Sequence, residues 1–256
     1  MSPEVFEKKY TIHVYETGPD GTLNVHSMFN FLQDIASEHA VRLGFGRDDL
    51  LRENHFWVLS RIYAEFHSWP SWEDTITVST WPDGTQKLFA LRNFKVNSEK
   101  GEQLAAATSS WLILDQTTRR IQRPDIFLKR FRNDLNPGTA PLRYPLKVES
   151  ALTSGIESDR FKVVISDLDV NLHTNNVKYL KWVMDTYDLG FVLKNRPLSV
   201  EINYLAESIF GQEVFVRRSE DPVNKMAINH SIIRLDDNRE LCTVRICWKE
   251  SMSISK

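Results

Sequence analysis

Three polar side chains, two of them suited to acid–base chemistry, fall at alternate positions in one short segment, Asp169-Val170-Asn171-Leu172-His173. Histidine changes charge near neutral pH, so His173 can take a proton from water, and a carboxylate such as Asp169 can orient it or act as a base itself. Asn171 donates and accepts hydrogen bonds without carrying charge, which suits it to hold a water molecule or a polar substrate group. The segment runs into Thr174-Asn175-Asn176, side chains able to cap a helix start. A helix N-terminus offers unpaired amides and a positive dipole end to the oxygen that turns negative when a carbonyl is attacked. Taken alone, however, Asp-x-Asn-x-His before a helix is more often a turn with capping residues than a reactive site.

Such residues need a strand-to-helix junction to hold them, and the sequence suggests two. Asn24-Val25-His26 matches Asn171-Leu172-His173 at a distance of 147 residues, and Phe29, Leu32, Ala36, His39 and Leu43 match Val177, Leu180, Met184, Tyr187 and Phe191 at 148. Spacings of three and four trace one face of a helix, so each copy is expected to carry an amphipathic helix of about four turns. Strand-like sequence opens the copies at 9–15 and 160–166. After the helices it recurs at 57–66, 75–80, 87–96 and 104–114, then at 198–205, 213–218, 226–235 and 241–249, with turn signals between, Pro82-Asp83-Gly84 among them. A long helix followed by a run of strands, twice, gives an α+β fold of two tandem hotdog domains, each an antiparallel sheet wrapped around a long central helix. The expected N-terminal domain spans residues 1–133, a linker rich in Pro, Gly and Ser spans 134–158, and the C-terminal domain spans 159–256. On this alignment Thr22 stands where the second copy has Asp169, so His26 reads as a structural relic.

The stretch Ser166-Asp167-Leu168-Asp169-Val170-Asn171-Leu172-His173-Thr174-Asn175-Asn176-Val177-Lys178-Tyr179 resembles the signature of plant and bacterial acyl-ACP thioesterases. Tyr204-Leu205-Ala206-Glu207-Ser208 resembles a second segment of that family, in which an acidic residue is followed, in plants, by cysteine. Trp57-Val58-Leu59-Ser60-Arg61 and Trp81-Pro82 extend the likeness over nearly the whole chain. The resemblance implies hydrolysis of acyl-[acyl-carrier-protein] to free fatty acid and carrier protein, ending fatty-acid synthesis. Asp169, Asn171, His173 and Glu207 are the catalytic residues it implies. Ser208 departs from the cysteine, and serine is a poor nucleophile unless activated, so water deprotonated by Glu207 or His173 is the expected attacking group. The family also implies an apolar acyl slot in the first domain; Met28, Phe29 and Leu32 are the residues expected beside the chain, and Asn175 and Asn176 are expected to bind substrate at the second helix. Trp57, Trp69, Trp72, Trp81 and Trp111 suit such a slot, although core packing accounts for them equally well.

With 41% hydrophobic and 26% charged residues and a formal net charge of -2 over 256 residues, the chain lacks the basic excess of a nucleic-acid binder. No apolar stretch reaches the ~20 residues that span a bilayer, and Met1 to Tyr10 is charged rather than leader-like, so a cytoplasmic protein without a membrane partner is expected. Cys242 and Cys247 fall five apart in one strand-like segment, on opposite faces, which argues against a disulfide. Scattered histidines and the lack of a phosphate-cradling glycine loop leave no metal or cofactor expected. Arg119, Arg120, Arg123, Lys129, Arg130 and Arg132 form either a solvated surface or a docking patch for an acidic carrier protein with its phosphopantetheine. Rival readings are an acyl-CoA thioesterase of the same fold, a hotdog 3-hydroxyacyl dehydratase, and an acyl-binding protein without turnover. A fused pair of hotdogs can stand as a monomer, and a homodimer is the other expected state.

Overall fold

A computed structural model of the chain describes residues 5–124 and 140–250. The chain divides into two compact units, Met1–Pro145 and Leu146–Lys256. In the first, β1 (Phe6–Thr11) alternates half-buried and exposed side chains, as a strand with one covered face does. A short 3-10 turn at Val14–Glu16 leads to α1 (Val25–Arg42), whose Met28, Phe29, Phe31, Leu32, Ile35, Ala36 and His39 are buried along one side. The stripe packs α1 against β1 and β3. After α2 (Arg47–Arg52) come β2 (His55–Phe66), β3 (Thr75–Gln86), β4 (Phe89–Ser98), β5 (Gln103–Asp115) and the two-residue β6 (Ile121–Gln122). All pairings are antiparallel, in the spatial order β1-β3-β4-β5-β2, with β6 on the end of β5.

The second unit repeats this plan. It holds β7 (Ile156–Lys162), a 3-10 turn at Ile165–Asp167, α3 (Asn176–Asp185), α4 (Leu189–Lys194), β8 (Asn195–Tyr204), β9 (Glu213–Glu220), β10 (Ala227–Arg234) and β11 (Glu240–Glu250). Its strands pair antiparallel in the order β7-β9-β10-β11-β8, the counterpart of the first unit strand for strand. Ahead of β7, irregular backbone is held by polar side chains of the sheet. Leu146 N–H donates to Glu201 Oε1 at 2.6 Å, Val148 N–H to Asn203 Oδ1 at 2.8 Å and Ala151 N–H to Ser231 Oγ at 2.8 Å. Buried amides outside a ladder must find acceptors, which accounts for three buried polar side chains in this sheet.

Three details differ from the sequence reading. The second helix stops at Asp185, because Asp188 accepts a hydrogen bond from Phe191 N–H at 2.8 Å and starts a new helix, so the expected four turns are split. Both opening strands begin earlier than the apolar pattern suggested, and Ile165–Asp167 is a turn. Pro82-Asp83-Gly84 is a bulge inside β3: the register jumps between Pro82 and Thr85, Gly84 takes φ 73°, and the hairpin turns beyond Gln86 instead.

Candidate active site

Leu168 and Thr174 pair across a tight loop in which Asp169 N–H donates to His173 O at 2.8 Å and Leu172 N–H to Asp169 O at 3.1 Å. Closing so small a loop puts Leu172 in the left-handed region, at φ 62°, where a residue with a Cβ is strained. The Asp169 carboxylate stabilises this turn: its Oδ1 accepts from the amides of Asn171 at 2.8 Å and His173 at 3.1 Å. Its short hydrogen bonds thus go to backbone, and it shapes the segment that carries the imidazole. Asn171 sits exposed at the loop tip.

The loop then pairs with the segment after β8. Thr174 N–H donates to Ser208 O at 2.9 Å, and His173 bridges Ile209. Side chains alternate along extended chain, so His173 and Glu207 project on one side of this small ladder while Thr174 and Ser208 project on the other. On the outer side His173 Nε2 lies 3.5 Å from Glu207 Oε2, with 28% and 46% of the two side chains exposed. A half-exposed imidazole beside a carboxylate can pass a proton to and from a substrate arriving from solvent. On the inner side Ser208 Oγ lies 2.8 Å from Thr174 Oγ1 and 2.9 Å from Tyr179 Oη, while Ser208 N–H donates to Tyr179 Oη at 3.1 Å. All three are buried, and burial pushes the Tyr179 phenol up to about 12, so it stays protonated. Ser208 thus faces the protein interior, away from the His173–Glu207 side.

The remaining residues singled out in the sequence fall elsewhere or take other roles. Asn175 caps α3, its Oδ1 accepting from Val177 N–H at 3.0 Å, and Asn176 is the first residue of that helix. Because Lys178 N–H also closes onto Asn175 O, two of the helix-start amides are committed within the cap. Met28, Phe29 and Leu32 lie on the buried face of α1 in the first unit. Arg119, Arg120 and Arg123 are exposed beyond β5, whereas Lys129, Arg130 and Arg132 lie outside the described residues. Both cysteines of β11 are free. Among the described residues there is no group of three or more His, Cys, Asp or Glu placed to hold a metal ion, and no helix long and apolar enough to cross a membrane.

The backbone also corrects the register between the two copies. The Thr17–Leu23 bridge corresponds to Leu168–Thr174, and Gly18 N–H to Thr22 O corresponds to Asp169 N–H to His173 O, a spacing of 151 residues. Asn24, the residue before α1, therefore matches Asn175 rather than Asn171, and the counterpart of His173 is Thr22. Leu23 N–H donates to Pro70 O as Thr174 N–H does to Ser208 O, which sets Trp69 opposite Glu207. Gly18 stands opposite Asp169, and a Cβ there would sit 3.0 Å from Asn24 Oδ1. The first copy thus carries Gly, Asp20, Thr22 and Trp69 at the four places where the second carries Asp169, Asn171, His173 and Glu207. Sequence matching chose 147–148 because a slip of three or four residues keeps the same helix face. What sequence reading missed is that Tyr179 and Thr174, the latter taken there for a helix cap, gather around Ser208; the signal was the inward position of residues next to His173 and Glu207.

Residues 3–127 match the family model described as the acyl-ACP thioesterase N-terminal domain, and residues 151–250 the acyl-ACP thioesterase C-terminal domain. The chain is 29% identical to a chloroplastic palmitoyl-acyl carrier protein thioesterase of Gossypium hirsutum over 96% of its length, and 27% identical to a chloroplastic oleoyl-acyl carrier protein thioesterase of Coriandrum sativum over 79%. It spans 64% and 59% of those relatives, less than two thirds of each. Its fold is similar to that of an acyl-ACP thioesterase from Bacteroides thetaiotaomicron, with TM-score 0.85 and 24% identity over 96% of this chain and 98% of that one. It is also similar to a 12:0-ACP thioesterase from Umbellularia californica, with TM-score 0.81 and 22% identity over the same shares.

Proposed function

The chain belongs to the acyl-ACP thioesterase family, and from that membership we propose that it hydrolyses acyl-[acyl-carrier-protein] to free fatty acid and carrier protein. The observation that carries the reading is the His173 Nε2 to Glu207 Oε2 approach of 3.5 Å, half-exposed, on a loop fixed by Asp169. Water loses a proton to this pair and attacks the thioester carbonyl. The tetrahedral intermediate then collapses, the carbon–sulfur bond breaks and the thiol leaves with a proton from the same pair. Asn171, at the loop tip, holds the water or the carbonyl oxygen, and Asp169 keeps the His173 backbone in place. The buried hydrogen bonds of Ser208 to Thr174 and Tyr179 support water rather than Ser208 as the nucleophile.

The reading includes two tandem hotdog domains, at residues 1–133 and 159–256 with 134–158 as linker, supported by the matching strand order of the two units. Met28, Phe29 and Leu32 serve as acyl-contacting residues, Asn175 and Asn176 support the substrate end of α3, and the arginines beyond β5 receive the carrier protein. The cytoplasm is the proposed location, and a homodimer is compatible with the same chemistry. The test is mass spectrometry of the product formed from a purified acyl-ACP. A free fatty acid is expected, and an unsaturated thioester would identify a dehydratase instead.

A further inference from the structure

The inner side of the ladder beneath the reacting pair is built with more care than packing requires. Each proposed reactive residue is followed in sequence by a buried hydroxyl: His173 by Thr174 and Glu207 by Ser208. Tyr179, on the first turns of α3, closes the group by accepting the Ser208 amide hydrogen at 3.1 Å. Ser208 Oγ lies 2.9 Å from the phenol oxygen and 2.8 Å from Thr174 Oγ1, so the three hydroxyls form one continuous hydrogen-bonded chain. The backbone bond from Thr174 N–H to Ser208 O at 2.9 Å belongs to the same knot. The first copy has no such group at these places: Leu23, Met28 and Pro70 stand where the second has Thr174, Tyr179 and Ser208. Its loop closes with the same backbone bonds, so the fold does not need the hydroxyls.

We propose that Thr174, Tyr179 and Ser208 are positioning residues, a buried hydroxyl lock that fixes the separation of His173 and Glu207 and so tunes how that pair handles its proton. The proposal rests on His173 and Glu207 being the reacting pair, and it deepens that reading by assigning the mechanical element behind it. The lock acts through the backbone. With Thr174 and Ser208 held together on the inner side, the chain cannot slide or splay, and the outward side chains keep one relative geometry.

Tyr179→Phe keeps the ring that packs edge-on against Trp182 at 5.4 Å and deletes one hydroxyl, and Ser208→Ala deletes another. Both variants are expected to lose at least about tenfold in kcat with KM within about twofold, because the reactive geometry rather than substrate binding is disturbed. Their pH profiles of kcat/KM should move along the pH axis, and the imidazole NMR resonances of His173 should shift at fixed pH. Ser208→Cys, which substitutes a weak donor of similar size, should fall between the parent and Ser208→Ala. The control is Tyr187→Phe, which removes the half-buried phenol hydroxyl bonded to His230 Nε2 at 2.8 Å in the same unit. It should lower stability while leaving the pH profile and the His173 resonances as in the parent. The proposal is overturned if Tyr179→Phe and Ser208→Ala fold, and show the parental pH profile and His173 resonances. A parent that hydrolyses no thioester would sink the functional reading instead, and the resonances would still decide whether the lock governs His173.

Discussion

Asp169 and Glu207, both acids and both legible from the sequence, do different physical work. Asp169 spends its Oδ1 on two backbone amides, whereas Glu207 directs Oε2 at the imidazole. Removing the charge of Glu207 should therefore strike the proton-transfer step itself. Glu207→Gln is expected to lower kcat by roughly 10²–10⁴-fold with KM little changed, measured by steady-state release of free thiol. Retention of near-parental kcat would take Glu207 out of the role and leave His173 as the base. At this scale Asp169, Asn171 and His173 were legible from their types and alternate spacing, whereas Glu207 was legible only through the resemblance to the family. The sequence reading took Thr174 for a helix cap and gave Tyr179 no role, because their hydroxyls gain meaning only when the chain after β8 lies beside the loop. It was silent on Leu172, which occupies a left-handed position that the first unit fills with Gly21, at φ 76°.

Helices and strands were read well in kind and less well at their edges. Apolar periodicity found α1 and all the long strands, but the same periodicity is indifferent to a slip of one helical turn, and so it misaligned the two copies. It also ran through the break between α3 and α4, which depends on one capping carboxylate. That break places Tyr187 against His230 in β10, and there the elements make a pH-dependent contact. His230 Nδ1 donates to Val244 O at 3.1 Å and Nε2 accepts from the Tyr187 phenol, an arrangement that needs a neutral ring. Burial lowers His230 to about 4, and burial together with Arg92 and Arg42 lowers His39 on α1 to about 4 as well. Both start from 6.5 when unfolded, so between about 6.5 and 4 the unfolded chain binds more protons than the folded one. The stability these neutral rings provide is complete above pH 6.5 and is lost as pH falls toward 4. Thermal unfolding followed across that window should show Tm falling steadily, with a shallower slope in His230→Gln. A Tm independent of pH over the window, or an unchanged slope in the variant, would contradict the assignment.

At the scale of the whole chain, two units share one strand order, and only the second carries the ionisable set at its loop. The first unit repeats the loop with Gly18, Asp20, Thr22 and Trp69, a geometry without an imidazole–carboxylate pair. Duplication was legible early because helix and strand order recur, and the inequality of the copies was legible because one lacks the acid. Their true correspondence needed the backbone. What the duplicated fold leaves open is the carrier of the acyl group, and the proposed function commits to the protein rather than to coenzyme A. The most direct test is kcat/KM on acyl-ACP and acyl-CoA of equal chain length with the purified chain. A carrier-directed hydrolase should favour acyl-ACP by at least about tenfold, about 1.4 kcal/mol of transition-state stabilisation. Equal values, or a preference for acyl-CoA, would contradict the claim that acyl-ACP is the substrate.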